Sequence, residues 1–229
     1  MKIVISLGGS LLAPKDAPLA AANFKKYADV LKRLQSQGHQ ILVVCGGGKT
    51  ARDYQAIAKE LSASREMVDN VGTSATILNA MTLASSLGEA AYQPKEVPLK
   101  YSAAKKLFGA GKILVYGGWK PLHSTDFDSV LLARTVGAEL IINVTNVPGV
   151  FSADPRVDPA AKKFDRLGHD EFIKIVRKNV QAPGQYALFD LKGAKLLKKI
   201  KVRMIVIDGR DAEEITRAVE EKHSGTVIE

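Results

Sequence analysis

Gln40-Ile41-Leu42-Val43-Val44-Cys45-Gly46-Gly47-Gly48-Lys49-Thr50 is the stretch on which the fold turns. Five uncharged apolar residues in a row read as a strand buried on both faces, and the three glycines after it read as a tight turn that opens a helix. The pattern repeats along the chain. Short Val- and Ile-rich runs predict further strands at 2–6, 112–116, 139–144 and 202–207. Between them, apolar residues recur at three and four positions, as at Tyr27, Val30, Leu31 and Leu34. That spacing predicts helices at 23–34, 50–60, 70–87, 126–136, 169–177, 186–200 and 212–221. Strand–helix alternation gives an α/β fold with a largely parallel sheet covered by helices on both faces. Asp154-Pro155 and Asp158-Pro159 mark turns in 151–167, where the rhythm is interrupted. No Gly/Ser- or Pro-rich linker divides the chain, so residues 1–229 are expected to form one domain, with an N-terminal lobe to about 135 and a C-terminal lobe from about 136.

Composition narrows the function. With 46% hydrophobic and 25% charged residues, the 229-residue chain can bury a full core, which excludes collagen-like and disordered classes. Its longest apolar runs fall far short of the ~18–20 residues of a membrane span, so no membrane partner is expected. No signal peptide is expected, because Gly8, Gly9 and Ser10 interrupt the first apolar stretch. The single cysteine, Cys45, excludes an internal disulfide and a CxxC zinc site and fits a reducing cytoplasm. A net charge of +9 suits nucleic acid, anionic metabolites or a solvated basic surface. Without an RRM, KH or zinc-finger pattern beside it, no nucleic acid partner is expected.

Glycine turns follow three of the expected strands: Leu7-Gly8-Gly9-Ser10, Gly46-Gly47-Gly48-Lys49 and Gly117-Gly118. Ligands of open α/β sheets bind beyond the carboxyl ends of the strands, and glycine lets backbone amides approach a phosphate closely. Three such turns favour a phosphate site over three unrelated chain reversals. Gly48-Lys49-Thr50 resembles the end of a Walker A loop, but the position of that loop's first glycine is Val43, and no GxGxxG follows the first strand.

Taken with Ala51-Arg52, Ser124-Thr125-Asp126 and the run Thr145-Asn146-Val147-Pro148-Gly149-Val150-Phe151-Ser152-Ala153-Asp154-Pro155, these turns resemble the amino acid kinase superfamily. Within it the chain is most similar to the archaeal-type uridylate (UMP) kinases, from its first strand to Ser224-Gly225-Thr226-Val227-Ile228. The resemblance implies a three-layer αβα sandwich, a hexamer, and transfer of the γ-phosphoryl group of MgATP to UMP, giving UDP and ADP in pyrimidine nucleotide biosynthesis. By position, Gly9 and Ser10 would lie against the ATP phosphates, and Gly48 and Arg52 would bridge towards the donor. Thr145, Asn146, Phe151 and Asp154 would hold adenosine. On the acceptor side, Gly47 would hold the UMP phosphate, Asp69 the ribose, and Trp119, Lys120, Pro121, Leu122, His123, Ser124 and Thr125 would wrap uracil and ribose. Many superfamily members carry a lysine two residues before the first Gly-Gly pair. Here that residue is Ser6, as archaeal-type members tend to have it, and the main cation is unassigned.

The residues themselves leave several alternatives open. Arg52 is a bidentate phosphate fork or a solvated helix arginine; Lys49 is a phosphate contact or an exposed N-terminal residue. Asp126 is a helix N-cap or an active-site carboxylate that orients a cation or Mg²⁺-bound water. Asp154 is a turn aspartate or a nucleotide contact. Lys195, near Asp190, is a replacement donor-phosphate cation or part of a basic helix face. His39, His169 and His223 lack metal-ligand spacing, so no protein-ligated metal is expected and Mg²⁺ would arrive with ATP. Trp119 replaces smaller residues of the family, which bears on acceptor choice. Competing readings are a kinase of a carboxylate, carbamate or isoprenoid phosphate, and a non-catalytic nucleotide-binding protein.

Overall fold

The computed structural model describes residues 1–93, 99–120, 123–180 and 188–229. The chain begins with β1 (Lys2–Leu7), α1 (Gly9–Leu12), α2 (Ala21–Ser36), β2 (Gln40–Cys45), α3 (Gly48–Glu60) and α4 (Arg65–Leu87). Next come α5 (Ala104–Leu107), β3 (Leu114–Tyr116), α6 (Thr125–Val136) and β4 (Leu140–Thr145). Three short strands follow, β5 (Val150–Phe151), β6 (Lys163–Phe164) and β7 (Arg166–Leu167), then α7 (His169–Val180) and α8 (Leu191–Ile200). The chain ends with β8 (Arg203–Asp208), α9 (Glu214–Val219) and β9 (Thr226–Ile228).

Seven strands form one sheet in the order β3-β2-β1-β4-β8-β9-β7. The first five run parallel, with Ile5 opposite Val43 on one side and Ile142 on the other. In this sheet β9 pairs antiparallel to β8, and β7 runs parallel to β9; β5 and β6 form a separate antiparallel pair. Because successive strand residues face opposite sides, Ile3, Ile5 and Leu7 enter the core under α2, α4 and α9, while Val4 enters the core under α6, α7 and α8. The same alternation sends Ser6, 3% exposed, towards α6. The result is the expected αβα sandwich, with the five parallel strands releasing their chains at one rim.

Several boundaries differ from the sequence reading, each for a local reason. Helix α4 starts five residues before the expected Asn70, because Ser64 caps it by accepting from the Met67 N–H at 3.2 Å. Helix α8 begins at Leu191, where Asp190 accepts from the Gly193 N–H at 2.7 Å. The start expected at 186–187 lies outside the described residues. At α6 the cap is Ser124, whose hydroxyl accepts from the Phe127 N–H at 3.1 Å, so Asp126 is not the N-cap. The two-residue strands β5, β6 and β7 and the terminal β9 carry too few residues for a period to register in the sequence.

Candidate active site

At the carboxyl rim, the turns after β1 and β2 pack backbone against backbone. A Cβ on Gly9 would collide with Gly46 and with the amide of Gly48, and a Cβ on Gly46 would collide with the amide of Gly9. Asn79, buried on α4, donates to the Gly46 carbonyl at 2.7 Å and the Gly47 carbonyl at 3.3 Å. With those carbonyls tied down and Gly48 at φ +63°, the N–H groups of Gly9, Ser10, Gly47 and Gly48 have no acceptor among the described residues. Unpaired amides at the start of a 13-residue helix make a site for an anion. The third turn behaves differently. Its Gly118 N–H donates to Thr76 Oγ1 at 2.6 Å, so it is fastened to α4 rather than left for a phosphate.

Two cavities open on either side of α3. The one on the β3 side has a volume of about 610 Å³ and is lined by Ala51 and Gln55 of α3, Asp69 and Thr73 of α4, and His123, Ser124 and Thr125 before α6. The one on the β4 side has a volume of about 800 Å³ and is lined by Ser10, Lys15, Arg52, Thr145, Asn146 and Arg210 among others. Neighbouring positions of α3 thus face different cavities, and the helix forms the wall between them.

The expected site residues fall into place unevenly. Ser10, Arg52, Thr145 and Asn146 come together in the β4-side cavity, with Gly9 and Gly48 in the interlocked turns beside it. Phe151 lies further out on β5, packed against the core under α6–α8. Asp154 is a turn residue: its carboxylate accepts from the Arg156 N–H at 3.0 Å and from the Arg156 guanidinium at 2.9 Å. That guanidinium holds its carboxyl below the usual range, and Arg156, not Asp154, lines the cavity. Asp69, His123, Ser124 and Thr125 line the β3-side cavity, with Gly47 at the turn below. Trp119 instead lines an adjoining cavity of about 330 Å³, stacked on Tyr101 with ring centroids 5.2 Å apart. The Lys120 ammonium sits 4.3 Å over the Trp119 ring, and Pro121 and Leu122 lie outside the described residues. Lys49 is paired with Asp53, and its backbone N–H donates to the Ala13 carbonyl at 2.8 Å.

Asp126 lies between the glycine turns and α8, where Ser6 Oγ donates to it at 3.3 Å. Burial pushes its carboxyl up to about 7; the Ser6 hydroxyl opposes that rise and the charge of Asp190 adds to it. Lys195 is exposed on α8 and does not line the cavity, whereas Asp190 and Lys192 do. Among the described residues no cluster of three or more His, Cys, Asp or Glu side chains could hold a metal by itself.

Sequence reasoning passed over Gln55, Thr76, Asn79, Asp128 and Lys192. Asn79 and Thr76 were the most legible of these, as polar residues among the apolar positions of a helix with no charge from Asn70 to Leu87. Asp128 gave no local signal, because acidic residues are ordinary in the first turn of a helix.

Residues 1–208 match the amino acid kinase family. The chain belongs to the amino acid kinase family. Within it, the uridylate kinase of Methanococcus vannielii is 39% identical over 228 residues, covering 100% of this chain and 99% of that relative. The uridylate kinase of Archaeoglobus fulgidus is 40% identical over 228 residues and is covered in full, as is this chain. The crystal structure of uridylate kinase from Archaeoglobus fulgidus superposes with a TM-score of 0.87 at 39% identity over all of both chains. A UMP kinase structure from Bacillus anthracis, at 24% identity and a TM-score of 0.83 over 99% of this chain and 95% of that one, shares the fold.

Proposed function

We propose that this chain is a UMP kinase, transferring the γ-phosphoryl group of MgATP to UMP to give UDP and ADP. The observation that carries this reading is the group of unpaired amides from Gly9, Ser10, Gly47 and Gly48, set between two cavities that share α3 as a wall. Two polyanions entering from opposite sides would present their phosphates to one set of donors. Full-length similarity to uridylate kinases supplies the acceptor.

In this assignment ATP takes the β4-side cavity and UMP the β3-side cavity. Gly9, Ser10, Gly48, Arg52, Thr145 and Asn146 receive the donor, with Phe151 and Asp154 acting at its outer edge, Asp154 through Arg156. Gly47, Asp69, His123, Ser124 and Thr125 receive the acceptor, with Trp119 and Lys120 at its mouth. The lobes of about 1–135 and 136–229 divide the work, though α8 of the second lends Asp190 and Lys192 to the acceptor cavity.

An oxygen of the UMP phosphate attacks the γ-phosphorus, a P–O bond forms, and the bond to the bridging oxygen of ADP breaks. A phosphate dianion is a competent nucleophile at neutral pH, so no general base is needed; alignment and charge offset do the catalysis. Arg52, which lines the donor cavity from the wall helix α3, would follow the transferring group. Mg²⁺ usually binds through one or two carboxylates and substrate phosphates rather than a protein cage. Asp126 and Asp190 fit that need: Asp190 lies close enough for its charge to raise the proton affinity of Asp126, and no cation pairs with Asp126 among the described residues. There the ion would neutralise charge on the transferring group.

Exposed apolar side chains on α3 and α4, including Tyr54, Ile57, Leu78 and Met81, support a homo-oligomer; the hexameric state is what the resemblance implies, and the lone Cys45 fits a reducing cytoplasm. No helix among the described residues is long and apolar enough to cross a membrane. The test is ADP release with MgATP against UMP, CMP, AMP and small carboxylic acids. Strong turnover with UMP is expected, and turnover only on a non-nucleotide would reject the assignment.

A further inference from the structure

The loop after β3 closes one side of the β3-side cavity, and a single buried carboxylate holds its described residues. Asp128 lies in the first turn of α6 with its side chain fully buried. Its Oδ2 accepts from the Trp119 backbone N–H at 3.0 Å, and its Oδ1 lies 3.4 Å from His123 Nδ1. The Tyr101 hydroxyl lies near the same carboxylate and gives its one proton to the Gly117 carbonyl at 2.9 Å. Tyr101 in turn carries the Trp119 ring in a stack tilted by only 18°, and His123 stands edge-on to Trp119 at 6.1 Å. The carboxylate therefore touches the loop at both ends and the aromatic residue beneath it.

No Lys or Arg among the described residues pairs with Asp128, and a buried carboxylate in that position is costly unless hydrogen bonds offset it. Burial raises the Asp128 carboxyl, and the Trp119 N–H, then His123 and Tyr101, act against that rise. All three of those groups belong to the loop or its support, so what offsets the burial of the carboxylate, whose Oδ1 has no hydrogen bond of its own, is in place only with the loop. Asp126, two residues earlier, faces Ser6 and Asp190 instead, so the two aspartates of α6 serve different parts of the site.

We infer that Asp128 is a positioning residue for the acceptor: it sets the described residues after β3, 117–120 and His123, and thereby places Trp119, Lys120 and His123 beside the acceptor cavity. This rests on the kinase reading above, with a nucleoside monophosphate as acceptor. Asp128→Asn retains shape while removing charge. Trp119 is the chain's only tryptophan, so its emission reports the loop without substrate. In Asp128→Asn the emission should move to longer wavelength as Trp119 leaves Tyr101. The KM for UMP should rise about tenfold while the KM for ATP and kcat stay within about twofold. Tyr101→Phe, which deletes one hydroxyl from the same group, should move both readouts in the same direction by less, and serves if the first variant does not fold. Unchanged emission in the folded variants overturns the inference, as does an equal loss on the ATP side or a fall in kcat alone. A wild-type protein that does not turn over UMP rejects the kinase reading instead, and the substrate-free emission still decides whether Asp128 holds the loop.

Discussion

The Ser6 hydroxyl donates to the Asp126 carboxylate across 3.3 Å, joining residues 120 apart in sequence. Many amino acid kinases have a lysine at the position of Ser6. In this chain strand alternation still aims the residue at α6, but a neutral hydroxyl meets the carboxylate, and burial raises the proton affinity of Asp126. In the folded site Asp126 is therefore protonated below neutral pH and ionised above it.

This has a pH signature. With the folded value near 7 and the ordinary one near 3.8, the stabilising contribution of protonated Asp126 is fully present below about pH 4 and is lost as pH rises through about 7. Asp126→Asn should therefore raise Tm by a few degrees at pH 8, with the gain vanishing near pH 4, while phosphoryl transfer falls by about 10²-fold. Melting curves between pH 4 and 8 check it; a gain that is constant with pH would show that the carboxylate is not the cause.

Arg52 is exposed on α3 and no described residue pairs with it, so its removal should spare the fold. Arg52→Ala is expected to lower kcat about 10²–10³-fold with Tm little changed. Near-normal turnover would remove it from the transferring group.

Gly9→Ala tests the interlock of the glycine turns. The added methyl group meets main-chain atoms of Gly46 and Gly48, which cannot swing aside as a side chain would. A loss of about 3 kcal/mol or more in denaturant unfolding is expected. A variant as stable as wild type would mean that the two turns are not in contact.

Asp69 and Lys192 line the acceptor cavity and Lys195 does not. Asp69→Asn and Lys192→Ala should each raise the KM for UMP several-fold, whereas Lys195→Ala should leave it near the wild-type value. A larger effect at Lys195 would restore it as the cation of the site.

Much of this molecule was legible in one dimension. Buried parallel strands advertise themselves as apolar runs, and glycine turns after Leu7, Cys45 and Tyr116 mark the rim, because both signals are local and repeat within a few residues. The resemblance to the amino acid kinase superfamily pointed to Ser10, Arg52, Asp69, Thr145 and Asn146, which line the two cavities. What only the folded chain decided was pairing over long separations: Ser6 with Asp126, Asn79 with the Gly46 carbonyl, Asp128 with Trp119 and Tyr101. A hydrogen bond depends on where two groups end up in space, and neither residue type nor spacing records that. Tertiary packing likewise bound Asp154 to Arg156 and Lys49 to Asp53, turning two candidate ligand contacts into internal ion pairs. It also divided one helix, α3, between two cavities, since burial on a sheet edge is set by the neighbours that the topology supplies.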